Sequence, residues 1–400
     1  MKKLAILSTH PIQYNAPFFR LLAQSGKIRL RVFYTWDRSQ HPFDPGFGRD
    51  IHWDIDLLDG YESSFVKNSS SDPGSHHFRG IINPSLIAEL EAWKPDVLLV
   101  YGWAFRSHLQ ALRHFKGIIP VWFRGDSTLL DHPVQSVRTL FRNPRAFPSW
   151  LSFRLRTCAL SFIFRKVDTA FYTGSANKKY YLHHGLREDQ LVFMPHAVDN
   201  AFFSDNHTEK EIAAKDWRNA LDIPPGAFAI LFAGKLEKKK DPFLLLHAFL
   251  ELESELQDSS LHLIIVGSGS LEKEMIKEVK DHPHIHFLSF RNQSLMPLVY
   301  RLGDLFCLPS AGPGETWGLA VNEALACGRP VLVSDRTGCA ADLVKTRLTG
   351  EIFTSGDQTE LKEKILFILK NRAQYSSSGM QKYISDYSYV HGVKAIEAMI

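Results

Sequence analysis

Residues 308–335, LPSAGPGETWGLAVNEALACGRPVLVSD, contain the local pattern from which the fold can be inferred. The stretch starts with the end of an apolar strand and continues through a loop rich in Gly and Pro. It then repeats apolar residues at helical spacing over residues 317–326, and a glycine ends the predicted helix. The next apolar run, residues 331–334, predicts a second strand. Glu315 therefore lies just before the helix, and Glu323 lies inside it.

The two glutamates flank a helix start, where backbone N–H groups have no partner within the helix. Such groups at Thr316, Trp317, Gly318 and Leu319 suit a phosphate, and the glycine allows close approach. The carboxylates, about 12 Å apart at helical rise, suit sugar hydroxyls because an ionised carboxylate only accepts hydrogen bonds. A ligand that joins sugar, diphosphate and ribose fits this order, which indicates a nucleotide sugar. An ordinary amphipathic helix with a solvated glutamate is the alternative.

A cationic loop follows an earlier apolar run, residues 227–233. Its sequence is GKLEKKK, in which Gly234 permits close approach and Lys235 and Lys240 would bracket a diphosphate. The two lysines between them are interpreted as solvated. A lysine cluster is ordinarily a solvated surface, but its position after a predicted strand favours a binding role.

Composition restricts the class of protein. A chain of 400 residues with 44% hydrophobic composition favours two domains, and a formal charge of +4 without a long basic run does not indicate nucleic-acid binding. Four cysteines without C-x-x-C pairing are expected to be reduced core residues of a cytoplasmic protein. The N-terminal apolar run is too short for a signal peptide, and no run is long enough to cross a membrane.

Short apolar runs alternate with helical patterns throughout the chain, which predicts parallel, doubly wound sheets. The predicted strands are residues 4–8, 30–34, 97–101, 120–123, 169–172, 191–194, 227–233, 261–266, 285–290, 305–308 and 331–334. Ligands of such sheets bind beyond the carboxyl ends of the strands. The loops at these ends are therefore the candidate sites.

Three loops of the first half carry acceptor-side candidates. His10 and Gln13 follow the first strand, although a plain packed turn is equally compatible with this loop. Trp103 follows the strand at 97–101 and could line a pocket or pack in the interior. Arg124 and Asp126 follow the strand at 120–123, where an Arg–Asp pair that only braces the turn is the alternative.

The stretch at 308–335 closely resembles the E-x7-E signature of retaining glycosyltransferases of family 4, which have the GT-B fold. The loop at 234–240 resembles the G-R-L-x3-K motif of that family, with Lys235 in place of Arg. Residues 195–199, PHAVD, resemble the P-x-G-V-D segment that links its two domains. The glycine pair that the family often carries after its first strand is missing here.

The resemblance implies two Rossmann-like domains that face a cleft. An acceptor domain would span residues 1–197 and a donor domain residues 198–384, and a last helix at 385–400 would return to the first domain. It also implies that Gly267 and the loop Phe290, Arg291 and Asn292 flank the nucleotide base, and that Asp126 lies near the reacting sugar.

The implied activity is transfer of a sugar with retention from a nucleoside diphosphate sugar to a glycan, lipid-linked or small-molecule acceptor. Lys235, Lys240 and the helix start would stabilise the leaving diphosphate in place of a metal, Glu315 would hold the donor sugar, and Glu323 the ribose. No cofactor is expected. A GT-B sugar-nucleotide epimerase, a phosphorylase and a non-catalytic scaffold are the alternatives, although no pyridoxal-binding motif supports a phosphorylase.

Residues 138–166 interleave basic and aromatic residues without an acidic one. Such a segment could rest on an anionic membrane at the inner face, which would suit a lipid-linked acceptor. A buried helix with a solvated basic flank is the alternative.

No metal site is expected. Asp54 and Asp56 form a D-x-D within residues 52–57, which alternate in polarity like an exposed strand. A D-x-D has only three residues and arises often by chance. The histidines at 76–77 and at 282, 284 and 286 lack a convincing set of carboxylate or cysteine partners for a metal.

Overall fold

The structure is a computed structural model that describes residues 1–40, 42–131, 147–256 and 260–400. The chain divides into two units. The first unit contains Met1–His41, Asp56–Pro195 and Tyr389–Ile400, and the second contains Pro42–Ile55 and His196–Ser388. The sequence analysis assigned residues 42–55 to the first domain, whereas the structure packs them in the second unit.

The strands of both units are numbered in chain order. They are β1 (Lys2–Ser8), β2 (Ile28–Tyr34), β3 (Phe43–Asp44), β4 (Arg49–Asp50), β5 (Glu62–Phe65), β6 (Val97–Tyr101), β7 (Val121–Arg124), β8 (Thr169–Tyr172), β9 (Leu191–Phe193), β10 (Phe228–Ala233), β11 (Leu261–Val266), β12 (Ile285–Leu288), β13 (Leu305–Leu308), β14 (Val331–Ser334) and β15 (Gly350–Phe353).

The helices are numbered in the same way. They are α1 (Ala16–Gln24), α2 (Leu86–Trp93), α3 (Arg106–Phe115), α4 (Phe147–Phe164), α5 (Ser175–His183), α6 (Asn200–Ser204), α7 (His207–Ala220), α8 (Pro242–Leu256), α9 (Glu272–Glu278), α10 (Met296–Leu302), α11 (Leu319–Ala326), α12 (Ala340–Leu343), α13 (Gln358–Lys370), α14 (Ser377–Ile384) and α15 (Tyr389–Glu397).

The first unit is built on a parallel sheet whose order, over the residues described, is β5-β2-β1-β6-β7-β8-β9. Successive residues of β1 enter two different core clusters, Leu4 and Ile6 in one and Ala5 and Leu7 in the other. Side chains alternate between the faces of a strand, so both faces of this sheet are covered, as a parallel sheet requires.

The last helix, α15, belongs to the first unit, as predicted. Val393 and Ile396 are buried in the same cluster as Phe18 and Phe19 of α1. The hydroxyl of Tyr389 also donates a hydrogen bond of 2.9 Å to the backbone carbonyl of Tyr14.

The second unit has a parallel sheet of order β12-β11-β10-β13-β14-β15 among its described residues. Every residue of β10, β11, β13 and β14 is buried. The strand order reverses at β10, whose neighbours are β11 and β13. In such sheets the ligand crevice lies at the carboxyl ends of the strands beside the reversal, so the loops after β10 and β13 are the ones to inspect.

The predicted doubly wound α/β architecture is confirmed, with local differences. Residues 51–57 form no strand, so the predicted strand at 52–57 is wrong. β5 and β15 were not predicted, because β5 is short and polar and β15 begins with a glycine. Three of the four cysteines are buried, but Cys158 is exposed on α4 and is not a core residue. Within the described ranges, no helix combines the length and apolar character needed to cross a membrane.

Candidate functional site

Two loops meet at the carboxyl ends of β10 and β13. The backbone N–H of Ala311 donates a hydrogen bond of 2.9 Å to the carbonyl of Lys239. The ammonium of Lys240 contacts the carboxylate of Glu315, which also accepts a bond of 3.0 Å from the Ser310 hydroxyl. The Lys240 side chain is 15% exposed and that of Glu315 is 8% exposed. The structure therefore joins a cation and a carboxylate that the sequence analysis assigned to one site.

The chain between Glu315 and α11 is held tightly. Gly318 has a φ of +95°, and a Cβ built on it would lie 2.8 Å from Cγ2 of Thr337. A Cβ on Gly338 would lie 1.8 Å from the carbonyl oxygen of Thr316. These close approaches fix the entry into α11, whose first N–H groups have no intrahelical acceptor. The predicted helix start at 317 lies two residues before the observed start at Leu319.

Trp317 and Leu319 have different surroundings at this helix start. The ring of Trp317 is buried, and its Nε1 donates a hydrogen bond of 2.8 Å to Asn322. The side-chain amide of Asn322 in turn donates a bond of 3.0 Å to the carbonyl of His196. Leu319 is half-buried. The Trp317 side chain therefore braces the helix start, and only its backbone can serve a ligand there.

Glu323 lies inside α11, as predicted, and is only 2% exposed. Its carboxylate accepts hydrogen bonds from the Tyr300 hydroxyl at 2.6 Å and from Nε2 of Gln293 at 3.2 Å. The sequence did not indicate either contact, since Gln293 lies in the polar loop before α10 and Tyr300 in an apolar stretch, and no motif relates them to Glu323. A carboxylate has about four acceptor positions and can accept from more than two donors at once.

Lys235 has partners that the sequence did not indicate. Its ammonium donates a hydrogen bond of 2.8 Å to Asp44 and lies 4.9 Å from the centre of the Phe47 ring. Both partners belong to the segment Pro42–Ile55 of the second unit. Lys235 thus belongs to the predicted phosphate loop but is already paired with a carboxylate.

The predicted base-flanking residues lie in the loops after β11 and β12. Gly267 has a φ of +142°, and a Cβ there would lie 1.9 Å from the carbonyl oxygen of Gly234, so β10 and β11 approach closely at their ends. Phe290 contacts the Phe47 ring edge to face, with centres 4.8 Å apart. The guanidinium of Arg291 stacks 5.4 Å from the centre of the Trp217 ring.

The side chain of Asn292 has two partners. It accepts a bond of 2.9 Å from the N–H of Gln293 and donates one of 2.6 Å to the carbonyl of His52. Asn292 therefore links the loop after β12 to the segment Pro42–Ile55, which also contacts Lys235.

The first-unit candidates follow β1, β6 and β7, as predicted. His10 packs edge to face against Trp36, and burial together with the charge of Arg38 lowers its pKa to about 4. A neutral imidazole is therefore available at this position. Gln13 is half-buried in the same loop, and Trp103 packs partly against the core.

Arg124 and Asp126 have different surroundings in the structure. The guanidinium of Arg124 is buried and donates to the backbone carbonyls of Met194 at 2.7 Å and Pro195 at 3.1 Å. These bonds hold the backbone at residues 194–195, whereas the alternative drawn from the sequence was a pair between Arg124 and Asp126. Asp126 is half-buried beyond Gly125, whose N–H is held by the Tyr181 hydroxyl at 2.8 Å.

Two histidine groups have carboxylate neighbours in the structure. Nε2 of His76 and of His77 lie 3.5 and 3.1 Å from Asp72, the arrangement among the described residues that could hold a metal ion. However, Nδ1 of His77 accepts the N–H of Arg79 at 3.2 Å, so Nε2 carries the proton of the neutral ring. That tautomer offers no lone pair to a metal.

The second histidine group surrounds Glu253, whose carboxylate contacts both His282 and His284. The aspartates of the D-x-D are also engaged. Asp54 accepts from the N–H and hydroxyl of Ser294, and Asp56 accepts from two N–H groups of its own turn. Neither arrangement resembles a metal centre.

The basic aromatic segment at 138–166 is described from residue 147 onward, so Arg138, Arg142 and Arg145 lie outside the described residues. Its described part is α4, whose apolar side chains divide. Leu160 and Phe164 are buried, whereas Leu155 and Phe162 are 63% and 50% exposed.

Comparison with protein families finds a match in one part of the chain. Residues 213–389 match the family model of the group 1 glycosyl transferases. The matched part includes Lys235, Lys240, Glu315 and Glu323. It lies almost wholly in the second unit.

Two curated relatives align over about two fifths of the chain. A D-inositol 3-phosphate glycosyltransferase of Pseudarthrobacter chlorophenolicus is 32% identical over 161 residues, which are 39% of this chain and 36% of that protein. A phosphatidyl-myo-inositol mannosyltransferase of Mycobacterium leprae is 28% identical over 156 residues, or 38% of this chain and 41% of that protein. The chain thus spans well under half of the length of these relatives.

Solved structures are similar over the whole chain. Anabaena HepE, solved with UDP and glucose, has a TM-score of 0.67 at 16% identity, covering 100% of this chain and 99% of HepE. A sucrose-phosphate synthase of Thermosynechococcus elongatus has a TM-score of 0.69 at 15% identity, covering 100% and 98%. These likenesses confirm the predicted GT-B fold.

Proposed function

We propose that the protein is a retaining glycosyltransferase that moves a sugar from a nucleoside diphosphate sugar to an acceptor. The observation that carries the proposal is the contact between Lys240 and Glu315 beside the first turn of α11. A phosphate-binding cation, a sugar-binding carboxylate and a helix N-terminus thereby lie together at the strand-order reversal of the second sheet. The match of this region to group 1 glycosyl transferases supports the same conclusion.

The chemistry assigned to this site is stabilisation of the leaving group. Cleavage of the bond between sugar and diphosphate develops negative charge on the diphosphate. Lys240, with 15% of its side chain exposed, would meet that charge in a place poor in water, where a fixed cation is most effective. Lys235 and the first N–H groups of α11 would assist. In this proposal protein cations take the role that a divalent metal plays elsewhere.

The two carboxylates would hold the donor at its ends. Glu315, oriented by Lys240 and Ser310, would accept hydrogen bonds from the transferred sugar. Glu323, fixed by Tyr300 and Gln293, would accept from the ribose. Retention would follow from attack on the same face that the diphosphate leaves, with a phosphate oxygen taking the proton of the acceptor. No protein nucleophile is then required.

The acceptor is proposed to bind through the first unit. His10, Gln13 and Trp103 follow the carboxyl ends of β1 and β6, where a doubly wound sheet binds ligands. Asp126, which follows β7, would keep the role near the reacting sugar that the resemblance implies. Arg124 would act indirectly, since its guanidinium is occupied by two backbone carbonyls. The names of the curated relatives make inositol derivatives suitable first acceptors to test.

We further propose that α4 rests on the cytoplasmic face of a membrane and that the acceptor is lipid-linked. Leu151, Leu155 and Phe162 are spaced so that they share one side of the helix, and they are 42%, 63% and 50% exposed. The exposed side chains of Arg154 and Arg165 flank this apolar side. Exposed apolar residues beside cations suit an anionic lipid surface.

Donor turnover by the purified protein tests the proposed reaction. The protein is incubated with UDP- and GDP-sugars, with and without an acceptor, and the products are separated. Release of nucleoside diphosphate supports a transferase. Conversion of the sugar nucleotide into its epimer would establish the epimerase alternative, and an unchanged donor with an intact fold would favour the scaffold. Because HepE was solved with UDP and UDP-glucose, UDP-glucose is the first donor to test.

A further inference from the structure

The segment Pro42–Ile55 comes from the first half of the sequence but packs in the second unit. It forms the short antiparallel pair of β3 and β4. The segment contacts the loops that follow the carboxyl ends of β10, β11 and β12. These are the loops to which the proposed function assigns the donor, so the segment is part of the donor region.

Asp44 binds Lys235 of the predicted phosphate loop at 234–240. Its Oδ1 accepts from the ammonium of Lys235 at 2.8 Å and from the N–H groups of Gly46 and Phe47 at 2.9 and 3.2 Å. The Asp44 side chain is 13% exposed, and the Lys235 side chain 31%. The carboxylate is therefore fixed by its own turn, whereas the lysine is partly open to solvent.

The rest of the turn encloses Lys235. A Cβ on Gly46 would lie 2.5 Å from Cδ of Lys235, so the absence of a side chain at this position makes room for the lysine. The Phe47 ring lies beneath the ammonium at 4.9 Å, and the Ser268 hydroxyl holds the Phe47 carbonyl at 3.0 Å. Lys235 is thus enclosed by a carboxylate and an aromatic face.

The far end of the segment is anchored independently of Lys235. The guanidinium of Arg49 lies 5.4 Å from the centre of the Phe290 ring. The hydroxyl of Ser294 contacts Asp54, and Asn292 donates to the carbonyl of His52. The segment therefore stays in place when the bond between Asp44 and Lys235 is weakened.

We propose that Asp44 is a specificity-determining residue of the donor site, whose carboxylate competes with ligand phosphate for Lys235. The inference rests on the proposed function. The terminal phosphate of a nucleoside diphosphate has two ionisable oxygens and carries about −1.5 to −2 charges at pH 7, as a phosphoryl group does. In the sugar nucleotide one of these oxygens is bonded to the sugar, so the same phosphate carries a single charge. Asp44 accordingly opposes the product diphosphate more than the donor and favours product release.

Calorimetric titration of the full chain with UDP and with UDP-glucose tests the inference, with GDP and GDP-mannose as the parallel pair. The test variant is Asp44→Asn, because an amide oxygen still accepts from the N–H groups of Gly46 and Phe47 while the charge is lost. We expect the Kd for the nucleoside diphosphate to fall about three- to tenfold, as for a partly exposed charge pair, and the Kd for the sugar nucleotide to fall less.

Two controls separate the competition from general charge effects. Asp54→Asn removes the same charge from the same segment at a residue bound to Ser294, and it should leave both Kd values unchanged. In a Lys235→Ala background, Asp44→Asn should have no effect on either ligand, because the group in competition is gone. Asp44→Ser is a second neutral variant if thermal unfolding shows that Asp44→Asn is damaged.

The outcomes distinguish the two levels of the proposal. Wild-type protein that binds neither UDP nor GDP would overturn the proposed function and the inference with it. Wild-type binding together with an unchanged or weaker affinity in the folded Asp44→Asn variant would overturn the inference alone. Weaker affinity would assign Asp44 the opposite role, that of holding Lys235 in position for the phosphate.

Discussion

The ammonium of Lys240 and the carboxylate of Glu315 are in contact although the two residues lie 75 positions apart in the sequence. Their side chains are 15% and 8% exposed, so the pair is withdrawn from bulk water without being sealed from a ligand. Removal of the lysine leaves a largely buried carboxylate with one hydroxyl donor, Ser310. The pair is therefore a sensitive point for turnover.

Lys240→Ala is expected to lower turnover and to weaken donor binding. Loss of a charged hydrogen bond of about 1.5–3 kcal/mol corresponds to a decrease of roughly 10- to 150-fold. Steady-state release of nucleoside diphosphate measures it. Lys239→Ala is the matched control, because Lys239 lies next in sequence but faces Glu237 at 3.5 Å and is 39% exposed. Equal turnover in the folded Lys240→Ala protein and the wild type would contradict the phosphate role.

Glu323→Ala is expected to weaken donor binding by a similar factor, about 10- to 150-fold, because its carboxylate is assigned to the ribose. Calorimetric titration with the donor gives the affinity. Tyr300→Phe serves as the control, since it removes one donor to Glu323 but leaves the carboxylate in place. Wild-type donor affinity in a folded Glu323→Ala protein would show that the residue has only a structural role.

Asn322→Ala is expected to destabilise the protein by about 2–4 kcal/mol. The substitution removes the acceptor of the buried indole N–H of Trp317 and one donor to the half-buried carbonyl of His196, and an unsatisfied buried group costs about 1–3 kcal/mol. Urea unfolding measures the change. Asn219→Ala, at an exposed position of α7, should alter stability by no more than about 0.5 kcal/mol. A cost for Asn322→Ala no greater than that of this control would refute the bracing role.

Acidification is expected to destabilise the folded protein through His108. This side chain is fully buried, and its Nδ1 lies 3.0 Å from the carbonyl oxygen of Gly102. Burial lowers the pKa of His108 from 6.5 to about 4. Between these values the unfolded chain binds more protons, so the contribution is complete above pH 6.5 and is lost as the pH falls towards 4.

At pH 5 the loss from His108 amounts to about 2 kcal/mol relative to pH 8. Urea unfolding at the two pH values measures it. His108→Gln, which does not titrate, should reduce the pH dependence by that amount while lowering stability at both pH values. The same pH dependence in the variant and the wild type would assign the effect to other groups, such as His262, whose pKa burial also lowers to about 4.

Leu155→Glu is expected to reduce binding to vesicles that contain anionic lipid by about tenfold, since it removes roughly 1.5 kcal/mol of apolar burial from α4 and adds a repelled charge. Sedimentation with the vesicles measures the bound fraction. Ile118→Glu is the matched control, because Ile118 is 65% exposed and Leu155 63% exposed, but Ile118 lies outside α4. Equal losses in the two variants would exclude a specific membrane contact by this helix.

Much of the fold could be predicted because its strands are short apolar runs. The predicted bounds at 97–101, 169–172, 261–266, 305–308 and 331–334 coincide with observed strands. The proximity of Lys240 to Glu315 also follows from the sequence, because both residues come after strands of one parallel sheet and such strands end at the same edge. The hydrophobic pattern of the strands and the position of the loops at one edge of the sheet were sufficient for these two predictions.

Residues 42–55 could not be placed in this way. β3 and β4 have two residues each, which is too short for any hydrophobic alternation to appear. The bond between Asp44 and Lys235 joins residues 191 positions apart, and no local pattern relates them. The donors to Glu323 were missed for a similar reason, since Gln293 and Tyr300 have no distinguishing sequence context. Long-range polar contacts of this kind depend on packing that only the structure describes.

The division of the chain has a practical consequence for any attempt to study the halves alone. The backbone passes from one unit to the other near residues 41, 55, 195 and 388. A fragment ending at residue 195 would carry Pro42–Ile55 away from the loops on which it packs and would lack α15. The complementary fragment would lack Asp44 and its turn. By this partition neither fragment contains all the residues of one unit, so we expect binding assays for donor and acceptor to require the intact polypeptide.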